Sequence, residues 1–300
     1  MLKFIKHIIF FFLVIAILDF SFGKMCTYLN SHAKGGDTKS HYYIAKECKE
    51  DVLIFGSSRA VHHYIPYLIE KKLNMTVYNC GTEGNGILLM YSYLRMITQR
   101  YAPKVIVYDV CSDFDIYAND NTKYLGWQKR FYDEPGIKDV FNDVNKVEQY
   151  KMYSNFYRYN TDFIQMLGDN FKPQKQVLYG GYKPFFEVMN TTAHDNLESN
   201  KILCWDPLKK KYWNKFIELC HERNIQLVLS FSPFYGKKDI NEFNPLIKLC
   251  AKNNVLIINN YTEQNFAKHP KWFSDPSHLN NTGAVYFSRQ FANELYKIIR

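Results

Sequence analysis

The sequence predicts an α/β protein, a three-layer sandwich of helices on both faces of a parallel sheet of about five strands, carried behind an amino-terminal transmembrane helix. Three observations predict it. Short runs that are apolar throughout, such as Val52-Leu53-Ile54-Phe55 and Val105-Ile106-Val107, recur and are each followed by a segment with apolar residues at helical spacing. Strands that are apolar on both faces belong to parallel sheets covered on both sides. Finally, Lys3, Lys6 and His7 precede Ile8 to Leu18, an uninterrupted apolar run that continues through Phe20 and Phe22 after a single Asp19.

Taken in order, residues 1–23 read as a membrane-targeting segment. Basic residues ahead of the apolar run place the amino terminus in the cytoplasm and deliver the remaining chain across the membrane. No small-x-small cleavage site follows, and Met25 before Cys26 is a poor lipoprotein signal. An uncleaved anchor is therefore favoured over a signal peptide, even though the strictly apolar stretch is shorter than the ~20 residues of a comfortable span. Residues 24–50 are polar, contain Gly35-Gly36, and read as a stalk. The remainder, 51–300, reads as one catalytic domain. Its rhythm is a strand over 51–55, a helix over 59–72, a strand over 76–80, a helix over 87–100 and a strand over 104–109.

Residues 113–200 break that rhythm and read as an aromatic-containing insertion. It is either a lid or sugar-binding wall, since aromatic faces stack on sugars, or a satellite core with ordinary tyrosines. Asp206-Pro207 then supplies an N-cap with proline at the first helical position, opening a helix to about residue 222. A strand over 225–231, a helix over 240–252, a strand over 255–259 and a terminal helix over 281–299 complete the chain.

Composition excludes several classes. With 300 residues, 47% hydrophobic and 22% charged, the chain is of ordinary globular make-up, enough for one large domain or two small ones. The net charge of +9 would favour an acidic partner, but the basic residues are scattered and the longest run is Lys209-Lys210-Lys211. Neither a zinc-finger nor an RNA-recognition pattern accompanies the charge, so nucleic acid is not an expected partner. The seven cysteines form no CxxC pair and no metal-ligand spacing. Cys80, Cys220 and Cys250 fall in apolar patterns and read as buried small hydrophobes, while a bridge between Cys26 and Cys48 stays open. No cluster of side chains calls for a metal, and no cofactor is expected.

Ligands of parallel sheets lie beyond the carboxyl ends of the strands. There the sequence places Gly56-Ser57-Ser58-Arg59, after the first strand, and Asp275-Pro276-Ser277-His278, before the last helix. A hydroxyl needs a base to become a nucleophile, and that base needs a third group to hold its tautomer. The first motif offers the hydroxyl and the second offers both partners. Between them, Asn79 to Gly84 closes the second strand with glycines that let backbone N–H groups approach a substrate. Arg59 either holds a substrate carboxylate or ties down the Ser58 turn, and Asp113 is a candidate for substrate contact. His62 and His63 lie near the presumed pocket with packing roles preferred, and Asp109 reads as a cap of neighbouring N–H groups. His194, His221 and His269 have no partner spacing.

On these motifs the chain resembles the SGNH, or GDSL-like, hydrolase superfamily, and more closely its membrane-anchored bacterial branch of envelope-glycan O-acyltransferases and alginate-acetylation proteins. The resemblance covers residues 51–112 and 201–299 and implies a flavodoxin-like sandwich. It implies Ser58 as nucleophile, with Ser57 standing where the family has Asp, and Asp275 and His278 as its partners. Leu279-Asn280-x-x-Gly283 strengthens the match. The implied oxyanion hole consists of the N–H groups of Ser58 and Gly84. In the family's third block, Gly-x-Asn-Asp, this chain has Val110-Cys111-Ser112-Asp113. Ser112 and Asn85 are the further donor candidates. A missing donor costs about 3 kcal/mol of transition-state stabilisation, which points away from fast general hydrolysis.

The expected function is that of a serine esterase or O-acyltransferase held on the cytoplasmic membrane with its catalytic domain in the periplasm. It would act on acyl, chiefly acetyl, esters of a cell-surface glycan through an acyl-serine. Expected partners are the acylated glycan, the inner membrane and a multispanning membrane acyltransferase. The competing reading is a catalytically weak scaffold or glycan-binding protein of the same fold; a lipase would be a third, but no apolar lid is evident.

Overall fold

A computed structural model describes residues 1–173, 179–190, 204–236 and 239–299. In chain order the elements are α1 (Leu2–Ser31), α2 (Gly36–Lys46), β1 (Val52–Gly56), α3 (Ser58–His63), α4 (Pro66–Leu73), β2 (Val77–Asn79), α5 (Ile87–Ile97), β3 (Val105–Asp109) and α6 (Ser112–Asp115). They continue with α7 (Ile137–Val144), α8 (Lys146–Lys151), α9 (Asn155–Tyr159), α10 (Phe163–Phe171), α11 (Pro207–Glu222), β4 (Gln226–Phe231), α12 (Asn244–Lys252), β5 (Leu256–Asn259), α13 (Gln264–Ala267), β6 (Phe273–Asp275), β7 (His278–Leu279) and α14 (Asn281–Ile298). The chain forms two compact units, Met1–Glu47 with Leu125–Gln176, and Cys48–Tyr124 with Val177–Arg300.

The second unit holds the expected sheet. Its five strands run parallel in the order β2-β1-β3-β4-β5. Every residue of β1 and β3 is buried, because helices cover both faces. On one face Phe55 and Tyr108 meet Phe216 of α11 edge-on, at 5.9 and 5.5 Å. On the other, Val52, Ile54, Val105, Val107 and Val228 share a core with Phe287 and Phe291 of α14. Each such side chain contributes roughly 1.5–3 kcal/mol by leaving water. The strand order reverses direction at β1, so the crevice between the ends of β1 and β3 is the place where such sheets bind ligands.

Two helices expected as single pieces are divided. The segment 59–72 breaks into α3 and α4, with Tyr64 and Ile65 extended, because Pro66 disfavours helical backbone in the residue before it. The freed Ile65 N–H donates to Ser288 Oγ at 2.8 Å. Likewise 240–252 is a 3₁₀ turn, Ile240–Phe243, followed by α12 with Pro245 in its first turn. The helix opened by Asp206 forms as expected, its carboxylate accepting from the N–H groups of Leu208 and Lys209.

The first unit corrects the reading of a stalk. α1 runs unbroken through the apolar segment to Ser31, and α2 occupies the polar stretch after it. Cys26 and Leu29 of α1 are buried with Tyr159 and Met166, and Thr38 N–H of α2 donates to Asp169 Oδ2 at 3.0 Å. Most of a helix's stability comes from such packing rather than from propensity, which is why a polar sequence opening on Gly36 is helical here. Nor is 113–200 one inserted piece. Residues 125–173 pack with 1–47, whereas 113–124 and 179–190 belong to the sheet unit. The end of that segment, 191–200, and with it His194, lies outside the described residues. Among the described residues α1 is the helix long and apolar enough to cross a membrane, as an anchor or a signal would be. Among the described residues no disulfide joins any of the seven cysteines, Cys26 and Cys48 included.

Candidate active site

The first half of the site is built by the exit from β1. Gly56 has φ +142°, and a Cβ there would stand 2.5 Å from Asp109 O, so the turn accepts glycine only. Ser57 is extended and Ser58 opens α3, where the first N–H groups of a helix have no intrahelical acceptor. The second half is the β6–β7 turn. Asp275 Oδ1 accepts from the N–H groups of Ser277 and His278, at 2.8 and 3.1 Å, folding the carboxylate back over Pro276. Asn280 then caps α14, its Oδ1 accepting from Gly283 N–H at 3.1 Å.

These two turns bring Asp275 and His278 to Ser58, which lies 220 positions before His278. His278 Nδ1 donates to Asp275 Oδ2 at 2.8 Å, and His278 Nε2 accepts from Ser58 Oγ at 2.7 Å. The carboxylate thereby selects the tautomer whose lone pair faces the hydroxyl. Burial of Asp275 works against its charge, but the His278 ring and the N–H groups of Ser277 and His278 outweigh it and hold the carboxyl below the usual range. The arrangement suits removal of the Ser58 proton and its later return to a leaving group.

A buried polar chain supports the site from beneath. His63 is fully buried; its Nε2 accepts from Leu279 N–H at 2.9 Å and its Nδ1 donates to Ser232 Oγ at 3.0 Å. Ser232 Oγ in turn donates to Asp109 Oδ2 at 3.1 Å, and Tyr64 OH donates to Asp109 Oδ1 at 2.8 Å. Burial, followed by the nearby His278, Arg59 and His62, holds His63 well below the usual imidazole range, so it is neutral. Burial pushes the Asp109 carboxyl up, opposed by Arg59, Tyr64 and Ser232. Asp109 does cap a neighbouring N–H, that of Ser232, at 3.0 Å.

The remaining candidates separate. Gly84 has φ +66° and open space where a Cβ would stand, in an exposed turn beyond the end of β2. Asn85 closes the turn that presents it: its N–H donates to Thr82 O at 3.2 Å and its amide to Glu83 O at 2.9 Å. Its main-chain N–H is therefore not an oxyanion donor. Ser112 is not one either, because its hydroxyl donates to Glu242 Oε2. Arg59 is buried, with its guanidinium bonded to Val110 O, 3.7 Å from Asp109 and over the Tyr261 ring, so it ties down the turn instead of meeting substrate. Asp113 is exposed in the first turn of α6, and its carbonyl accepts from Lys209 Nζ and Asn119 Nδ2; no contact joins it to Ser58 or His278 among the described residues. His269 stacks on Trp272 at 4.1 Å, a packing role.

Three residues beside His278 were not singled out by the sequence. Phe185 stacks on His62 with ring centroids 3.8 Å apart and meets His278 edge-on at 5.8 Å. His62 Nδ1 donates to Lys183 O at 2.7 Å, which turns its Nε2 toward Glu83 Oε1 at 3.5 Å. The His62 ring, against burial and with help from Lys183, holds Glu83 below the usual carboxylate range. The Phe185 and Lys183 contacts are carried by the segment 179–190, whose irregular sequence gives no periodic signal, and Glu83 by the turn after β2; only His62, close behind Ser58, pointed to the place.

No protein-family model matches the chain, and no curated protein matches it in sequence. Among solved structures, the chain is similar to a Bacteroides fragilis protein provisionally named an acylhydrolase, with 12% identity and a TM-score of 0.43 over 88% of this chain and 98% of that one.

Proposed function

We propose that the protein is an extracytoplasmic serine esterase or O-acyltransferase acting on acyl, chiefly acetyl, esters of a cell-surface glycan. The observation that carries the chemistry is the chain of hydrogen bonds from Asp275 through His278 to Ser58, at 2.8 and 2.7 Å. His278 takes the Ser58 proton as Oγ attacks the ester carbonyl, and Asp275 stabilises the imidazolium that forms. In this reading the N–H groups of Ser58 and Gly84 meet the developing oxyanion. His278 then returns the proton to the departing alkoxide, leaving an acyl-serine. Water resolves it in an esterase and a glycan hydroxyl in a transferase. The glycan, the periplasmic placement and a multispanning acyltransferase partner rest on the family resemblance of the motifs and on the apolar α1.

The test uses the full chain in detergent. A fluorophosphonate probe labels the wild type and not Ser58→Ala, and Asp275→Asn slows labelling by about 10³–10⁴-fold through the wrong tautomer. Label retained on Ser58→Ala would remove Ser58 from the mechanism. The scaffold reading draws on one observation, the loss of Ser112 to Glu242. It gains if the wild type neither labels nor cleaves acetyl esters while glycan binding survives Ser58→Ala.

A further inference from the structure

Although α1 as a whole is long enough to cross a membrane, its strictly apolar run does not fill a bilayer by itself. From Ile8 to Leu18 that run spans about 16 Å at 1.5 Å per residue, against ~30 Å of hydrocarbon. The next turn, Asp19 to Phe22, is thus drawn to the boundary of the membrane. Asp19 would resist that, but its carboxylate is fully engaged. Oδ1 accepts from Ser154 Oγ and Phe156 N–H, and Oδ2 from the N–H and amide of Asn155, all at 2.9 Å. A carboxylate held by four protein donors no longer depends on water, and it fixes residues 154–156 at its own height.

The segment that leads into residues 154–156 is apolar and uncovered. Val147, Tyr150 and Tyr153 recur every third residue and are 56, 63 and 83% exposed, while Met152 between them is buried. Phe156 is also exposed, its ring stacked on Phe22 of α1 at 4.6 Å, and Phe163 leans on Phe22 from the other helix at 5.1 Å, with Ile164 beside it exposed. Lys146 and Lys151 border the stripe and are exposed as well. Tyrosines with flanking lysines are the residues found where acyl chains meet anionic headgroups.

Resting on the reading of α1 as an anchor, we propose that residues 147–156 and Ile164 seat in the headgroup and outer acyl layer of the same bilayer that α1 crosses. The unit Met1–Glu47 with Leu125–Gln176 is then a membrane-seated collar that sets how far α1 is drawn in. Cys26 and Leu29 belong to its core, so the collar requires α1 to remain attached. Phe171 serves as an internal control. It is exposed too, but the preceding Asn170 donates to Leu29 O, seven residues or about 10 Å along α1 beyond Phe22.

The experiment reconstitutes the full chain in phosphatidylethanolamine and phosphatidylglycerol vesicles doped with a phospholipid bearing a diazirine close to the glycerol. After irradiation, tryptic peptides are mapped by mass spectrometry. Adducts are expected in α1, on peptides 147–151 and 152–158, and at Ile164, with none at Phe171. Adducts confined to α1, or equal labelling of Phe171, overturn the collar while leaving the anchor intact. No adducts anywhere overturn the anchor and the collar with it.

Discussion

Leu279 N–H donates to His63 Nε2 at 2.9 Å, a single hydrogen bond that joins the turn carrying His278 to the helix carrying Ser58. Both partners are buried, and the other ring nitrogen is spent on Ser232. His63 is therefore a positioning residue for a site it does not enter.

Replacing His63 with Ala leaves buried groups unpaired, at about 1–3 kcal/mol each. The variant is expected to melt lower and to lose kcat more than it changes KM. His63 also makes stability depend on pH. Because burial lowers its folded pKa, the unfolded chain binds a proton that the folded chain does not. Its contribution is complete above about pH 6.5, the unfolded value, and is lost as pH falls below that toward the depressed folded value. Melting temperature measured across this window should drop with acidification in the wild type and more shallowly in His63→Ala. Equal slopes would assign the effect to another group.

The two glycines of the crevice should respond differently to one added methyl. Gly56→Ala drives a Cβ to 2.5 Å from a backbone oxygen, and no soluble folded protein is expected. Gly84→Ala meets nothing, so its cost is the positive φ alone, about 1–2 kcal/mol. Relaxation of that φ re-aims the N–H, and loss of one oxyanion donor lowers kcat by about 10²-fold. A Gly84→Ala enzyme with wild-type kcat would show that this N–H does not face the reacting carbonyl.

Arg59 and Asp109 offer a double-mutant cycle. Arg59→Met strands a buried carboxylate and is expected to cost about 3–5 kcal/mol in chemical unfolding. Adding Asp109→Asn should recover part of that loss. KM should stay unchanged in the double variant, since neither side chain reaches substrate. Additive losses, or a raised KM, would return Arg59 to a substrate-binding role.

How much of this was legible beforehand follows from how local each signal is. Strands β1, β3 and β4 announce themselves because parallel strands buried on both faces must be apolar throughout. The helix opened by Asp206-Pro207 announces itself because its cap lies within four residues. Ser58, Asp275 and His278 are legible as motifs for the same reason. By contrast, Ser112 resembles a donor in sequence, and only its hydrogen bond to Glu242, 130 residues away, takes it out of the hole. Phe185 and Glu83 carry no local signature at all.

The sequence by itself determined the α/β class, the apolar anchor-like start and the residue types able to run acyl chemistry, since periodicity, turn chemistry and side-chain reactivity are properties of neighbours along the chain. Tertiary structure alone decided that Ser58 and His278 meet at 2.7 Å, that Arg59 is spent inside the fold, and that the polar segment after α1 is helical and packed. Those outcomes depend on burial and on contacts across more than a hundred residues, where the loss of water makes one partner rather than another worth its hydrogen bond.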